Sequence, residues 1–349
     1  MAQLLDIFGF ISVLLRGLVL AFEGLTIGGV ICLSFIVRAR FPQQEMWLTG
    51  SSLLLAAAQS CYAAATAAIL VSSTDMTWTE AATAQFSIAS ALVVLGALVI
   101  AVSARRISTR LLTVRGIACV CILCGSVMGS HSVSRLEARW LIIMLTSMHH
   151  LGADAWIGGM PYLIGAMRNS TSVAATSITG RFSWLAIRAV ALLLIAGLGL
   201  AVFYVGSPGA LGGTTYGIML LAKIVMTGML LALGGTNLQI VRAIRNQLLA
   251  ALLPLRRFAE AEAGIGLTIF LAAASLTSTP PAMDVRRDAV TGPEIIQRFR
   301  PTWPRMENTT ARRAFAGHTV PIVLAAESTG VVRSGPSTSN RYPRGQSVV

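Results

Sequence analysis

The chain has 349 residues, 55% of them hydrophobic and only 12% charged, with a mean hydropathy of +0.73, which excludes an ordinary soluble globular domain. The formal charge is +13, but ten arginines lie beyond residue 281 and most of the others sit in short loops between apolar runs. Aromatic residues do not interleave with them, so the charge does not describe a surface for nucleic acid.

Apolar windows long enough to cross a hydrocarbon core of about 30 Å recur near 7–37, 46–72, 83–103, 112–130, 139–166, 182–206, 214–240 and 258–278. The fold class expected is all-α: a polytopic membrane bundle of about eight transmembrane helices, followed by a mostly irregular tail. Before the first span stands Asp6 with no Lys or Arg, unlike the basic start of a signal peptide, so this span is expected to be retained. Within it, Arg16 and Glu23 are seven residues apart and face the same way. The second and third spans, as in Leu53–Leu70, are rich in small residues and nearly free of charge, which suits close helix packing. Cys119, Cys121 and Cys124 cluster on the fourth span, with Arg115 near its start; the cysteines are read as packing residues.

The fifth span carries the most chemistry. Residues 147–162 hold two adjacent histidines, a carboxylate and methionines at bilayer depth, and polar groups there are costly enough to point to function. His149, Trp156 and Met160 fall on one helical stripe, while His150 and Asp154, four apart, share another, close enough for the carboxylate to orient the imidazole. Met144 and Met148 pair one turn apart, and Gly158–Gly159 bares the backbone for a neighbouring helix. At about 1.5 Å per residue, both histidines lie about 15 Å from the outer end, level with Met226 on the seventh span. Imidazole with thioether suits copper, Cu(I) above all.

Arg188 in the sixth span, Lys223 in the seventh, and Glu260 and Glu262 in the eighth are read as structural charges, with Arg188 expected to pair with Glu260 or Glu262. Residues 282–349 alternate charge, Pro, Ser, Thr and Gly without periodicity, apart from a short helix expected near 292–299. This segment is expected to be a disordered extracytoplasmic tail. The domain organisation follows: four spans over 1–138, four over 139–281, then the tail. Loops after the first, third, fifth and seventh spans carry Arg38, Arg40, Arg105, Arg106, Arg110, Arg168, Arg181, Arg242, Arg245, Arg256 and Arg257, whereas the alternate loops offer Arg135 and Arg139. The positive-inside rule places the arginine-rich side in the cytoplasm and both termini outside.

The run from His149 through Gly158–Gly159 to Met160 resembles the histidine, small-apolar, Trp-x-Gly-Gly signature of the copper-resistance D (CopD/PcoD) family. Arg181-Phe182-Ser183, Tyr216-Gly217 through Lys223 to Asn237, and Leu255-Arg256-Arg257 with Glu262 and Pro280–Pro281 follow in the family's order. The resemblance covers about 140–281. It implies a bacterial inner-membrane protein that moves copper inward as the bound or transported ion and serves copper homeostasis and resistance, alongside a periplasmic CopC-like copper-binding partner. Together with the residue-based reading, the metal ligands expected are His149, His150, Met148, Met144, Met160 and Met226, with Asp154 and Trp156 supporting them. No energy-coupling motif such as a Walker A run occurs, so an ATP-driven pump and an enzyme are not expected. Two rivals stand beside the permease. One is a non-transporting membrane scaffold for a periplasmic copper protein. The other is a b-type haem oxidoreductase, whose iron needs histidines on facing helices, whereas adjacent histidines on one helix diverge by about 100°.

Overall fold

The computed structural model describes residues 2–38, 41–74, 76–105, 109–130, 138–245, 252–277, 279 and 281–284. His131, His318, Arg135 and nearly all of the tail, with its expected helix near 292–299, lie outside them. The described residues form helices and no strand. In chain order these are α1 (Ala2–Ile31), running on into a π-helical turn (Cys32–Val37), α2 (Pro42–Ser73), α3 (Trp78–Thr83), α4 (Gln85–Ser103), α5 (Thr109–Met128) and α6 (Arg139–Ala153). A second π-helical turn (Asp154–Gly158) leads into α7 (Met160–Arg168), followed by α8 (Ser172–Val205), α9 (Pro208–Gly213), α10 (Thr215–Arg245) and α11 (Leu252–Thr277).

Seven helices among the described residues are long and apolar enough to cross a membrane: those containing 10–37, 42–73, 85–103, 110–128, 172–205, 215–241 and 255–277. The fifth expected span is not among them; it is built from α6, the second π turn and α7. It still runs the depth of the bundle. Leu145 near its start packs where a Cβ on Gly199, close to the end of α8, would sit. Near its other end, the Tyr162 carbonyl accepts from Gln44 Nε2 at 2.8 Å, at the start of α2. The protein is a multi-pass membrane protein.

Local chemistry fixes the helix ends. Pro42 and Pro208 open α2 and α9 at positions where a missing N–H costs nothing. The Thr171 hydroxyl accepts from the Ala174 N–H at the start of α8, and Gly206, with φ 73°, stops that helix. In the short α3, Thr77 and Glu80 cap each other reciprocally. These bonds to Thr77 hold the Glu80 carboxyl below the usual carboxylate range.

The first span is the most buried of the seven, and α1 packs against α2, the second π turn and α11. The crossing with the π turn is the closest. A Cβ on Gly28 would collide with the backbone of Asp154, Gly158 and Gly159, and one on Gly158 with the backbone of Gly24. Gly24 and Gly28, one turn apart, thus meet Gly158–Gly159 as small-residue surfaces that let two backbones touch. On the other side of the bundle, α6 lies along α8, and Gly152 permits a similar approach to the Ala189 carbonyl. Side chains such as Ile195, Leu198 and Val202 of α8 and Ile117 and Val120 of α5 point outward and are exposed, as a lipid-facing surface requires.

Candidate functional site

The tight crossing of α1 with the second π turn encloses a polar cluster at mid-bundle. Glu23 of α1 is 0% exposed. Its Oε1 lies 3.2 Å from His150 Nδ1, and its Oε2 accepts from Ser126 Oγ of α5 at 2.6 Å. Both carboxylate oxygens are therefore engaged, as a buried acid demands. Asp154 sits beside this group at 2% exposure, and its Oδ2 is buried without a hydrogen-bond partner among the described residues.

His149 leaves α6 in another direction. Its Nδ1 lies 3.3 Å from the Leu193 carbonyl of α8, in space made by Gly197, where an added Cβ would come within 3.3 Å of the imidazole. The two adjacent histidines thus serve different sides of α6, His150 facing Glu23 of α1 and His149 facing α8, as their offset of about 100° allows. They share one chemical feature. In each ring the Nδ1 faces an oxygen, that of the Leu193 carbonyl or of the Glu23 carboxylate.

The orienting carboxylate expected for His150 was Asp154, but the bond is made by Glu23. The i,i+4 spacing brought Asp154 near, and the π turn beginning at Asp154 sends its carboxylate toward Gly24 of α1 instead. Among the expected methionines, Met160 is buried with Trp156 at the edge of a cavity of about 360 Å³ between α7, α8, α10 and α11, which also takes in Met167, Asn237 and Glu262. Met148 and Met226 are half-buried. Met144 is 50% exposed. No group of three or more His, Cys, Asp or Glu side chains among the described residues is arranged to hold a metal ion.

The structural charges also find partners other than those expected. Glu260 pairs with Arg168 at 2.6 Å and with Arg256 at 3.0 Å, and Glu262 accepts from Asn237 Nδ2 at 2.6 Å. Arg188 reaches neither acid; its guanidinium lies 5.7 Å from the Trp184 ring centre. Arg16, likewise, is buried over the Tyr62 ring at 5.8 Å rather than paired with Glu23. An aromatic face can hold a guanidinium inside a bundle without any carboxylate.

Comparison with known proteins bears on the second half of the chain. Residues 176–276 match the family of copper resistance protein D, CopD. This part of the chain is CopD-like. The CopD-like segment runs from α8 into α11, so it includes Arg181, Lys223, Asn237 and Glu262 and begins after the histidine pair. The chain is also 29% identical over 149 residues to the copper transport protein CutJ of Bacillus subtilis (strain 168). That match covers 42% of this chain and 26% of CutJ, so this chain matches about a quarter of the relative's length. No solved structure matches.

Proposed function

We propose that this CopD-like protein is a permease that carries copper inward across the bacterial inner (plasma) membrane, contributing to copper homeostasis and resistance. The observation that carries the reading is the pair of imidazoles in the bundle interior, each with its Nδ1 within hydrogen-bond distance of a carbonyl or carboxylate oxygen. A metal-ligating histidine almost always donates its other ring nitrogen in this way, to a carboxylate or a backbone carbonyl. Copper is the cargo that imidazole and thioether select, and the CopD and CutJ likenesses support the same ion.

On this reading His149 and His150 are two stations rather than one cage. Each Nε2 would hold the ion with few protein ligands, weakly enough for it to leave again, which conduction requires. Glu23 fixes the His150 ring, Ser126 fixes Glu23, and Asp154 supplies an unpaired carboxylate oxygen beside that station. Met148, Met160 and Met226 offer thioethers before or after it. The arginine-rich side would be cytoplasmic and a CopC-like periplasmic protein would deliver the ion. The role is transport, with no reaction catalysed.

The test is copper uptake by the full chain in proteoliposomes. Replacing His149 and His150 together with alanine should abolish copper-dependent uptake while the protein stays monodisperse. Uptake at the parent's rate would show the stations to be misassigned. A parent protein that takes up no copper but binds a CopC-type protein is a scaffold, and a Soret band on the purified protein would instead favour the haem reading.

A further inference from the structure

A second cavity, of about 380 Å³, lies where the first π turn meets α8 and is lined by Phe35, Ile36, Arg38, Arg181, Trp184 and Arg188. Arg181, Trp184 and Arg188 succeed one another at spacings of three and four along α8, so all three side chains leave the same face. Arg38 closes the π turn with φ 55°, and its Nε donates to the Phe35 carbonyl at 3.1 Å. Arg181 Nε is buried with no hydrogen-bond partner among the described residues.

Three guanidiniums therefore surround one space, and no ion pair among the described residues joins any of them to a carboxylate. Convergent like charges repel unless an anion lies between them. Arginine forks match the oxygens of a phosphate better than those of any other biological anion except a carboxylate. The position adds a second constraint. Arg38 directly follows the first span, Phe10–Val37, and Trp184, 64% exposed, has the amphipathic ring that sits at headgroup level. The exposed Phe35 gives the cavity an apolar flank, and the space is larger than a bare phosphate needs.

We propose that Arg38, Arg181 and Arg188 form a binding site for the phosphate group of an anionic phospholipid, with the acyl chains lying along Phe35 and Trp184. Free inorganic phosphate has the same recognising chemistry and is the source to be distinguished. The experiment uses the delipidated full chain in detergent, with bound lipid counted by native mass spectrometry and the melting midpoint followed as phosphatidylglycerol, phosphatidylcholine or inorganic phosphate is added. Phosphatidylglycerol should bind and raise the midpoint, while phosphatidylcholine and inorganic phosphate should not. The triple variant R38Q/R181Q/R188Q should bind phosphatidylglycerol roughly 10–100-fold more weakly, and R257Q, an exposed arginine of α11 outside the cavity, should bind it like the parent. If the triple variant does not fold, R38Q and R188Q separately should each weaken binding about 3–10-fold. Stabilisation by inorganic phosphate equal to that by phosphatidylglycerol would overturn the lipid assignment in favour of a free-anion site. Binding unchanged by the arginine variants, or equal for the anionic and zwitterionic lipids, would overturn the site itself.

Discussion

At the scale of single residues, the partner of an imidazole matters as much as the imidazole. The histidine pair stood out in the sequence because two rings and an acid in an apolar run are costly to insert. Glu23 did not, because 127 residues separate it from His150 and its own helix offered Arg16 as an apparent partner. Ser126 left no signal at all, since a serine in an apolar helix is ordinary. Glu23→Gln keeps a carbonyl oxygen for the His150 Nδ1–H but loses the charge, and should weaken copper binding about 10–100-fold, the range expected when a ligand's orienting partner is altered. Isothermal titration of the purified protein with copper, alongside a melting curve to show that the fold survives, would check this; unchanged affinity would remove Glu23 from the site. The reading of Arg188 as an ion-pair member turns into a different expectation. It is exposed and stacked on Trp184, so Arg188→Ala in detergent without added lipid should melt within about 0.5 kcal/mol of the parent. A large loss of folded yield would show that its stacking holds α8 in place.

At the scale of elements, hydropathy located most of the spans to within a few residues, because burial in lipid is averaged over twenty positions and tolerates local error, but it began the sixth at 182 where the helix begins at Ser172. It could not show that the fifth span is broken. A π turn inserts one residue into a helix without changing composition, and only the neighbouring backbone reveals why it is there: Gly24 and Gly28 of α1 press against it. The bare backbone at Gly158–Gly159 was legible as room for a neighbour, but the identity of that neighbour depended on contacts more than a hundred residues away. Gly28→Ala should destabilise by several kcal/mol, beyond the roughly 1–3 typical of overpacking, because the added methyl meets backbone rather than a side chain that can move. Gly50→Ala, in α2 with nothing within 4 Å of the new methyl, should be neutral or stabilise by up to about 1 kcal/mol. Size-exclusion profiles and melting curves of the two variants give the comparison, and similar behaviour would mean that the crossing can open.

At the scale of the whole molecule, the proposed orientation rests on the arginines. Arg38, Arg168, Arg181, Arg188, Arg256 and Arg257 all lie toward the end of the bundle where Gln44 meets Tyr162, and the positive-inside rule assigns that end to the cytoplasm. A reporter active only when exported, fused after residue 349, should therefore be active. Activity of a cytoplasm-only reporter at the same position would reverse the bundle, and with it the direction assigned to copper.

The contact between Glu23 and His150 has a consequence for inheritance. The CopD-like stretch begins at residue 176, the histidines lie upstream of it, and the acid that steadies one of them comes from the first helix of the chain. A chimera that transplanted residues 139–281 into a foreign bundle would bring both imidazoles along but leave His150 without the carboxylate that holds its ring. If the proposed site is right, moving it intact into another bundle would mean carrying the first helix as well.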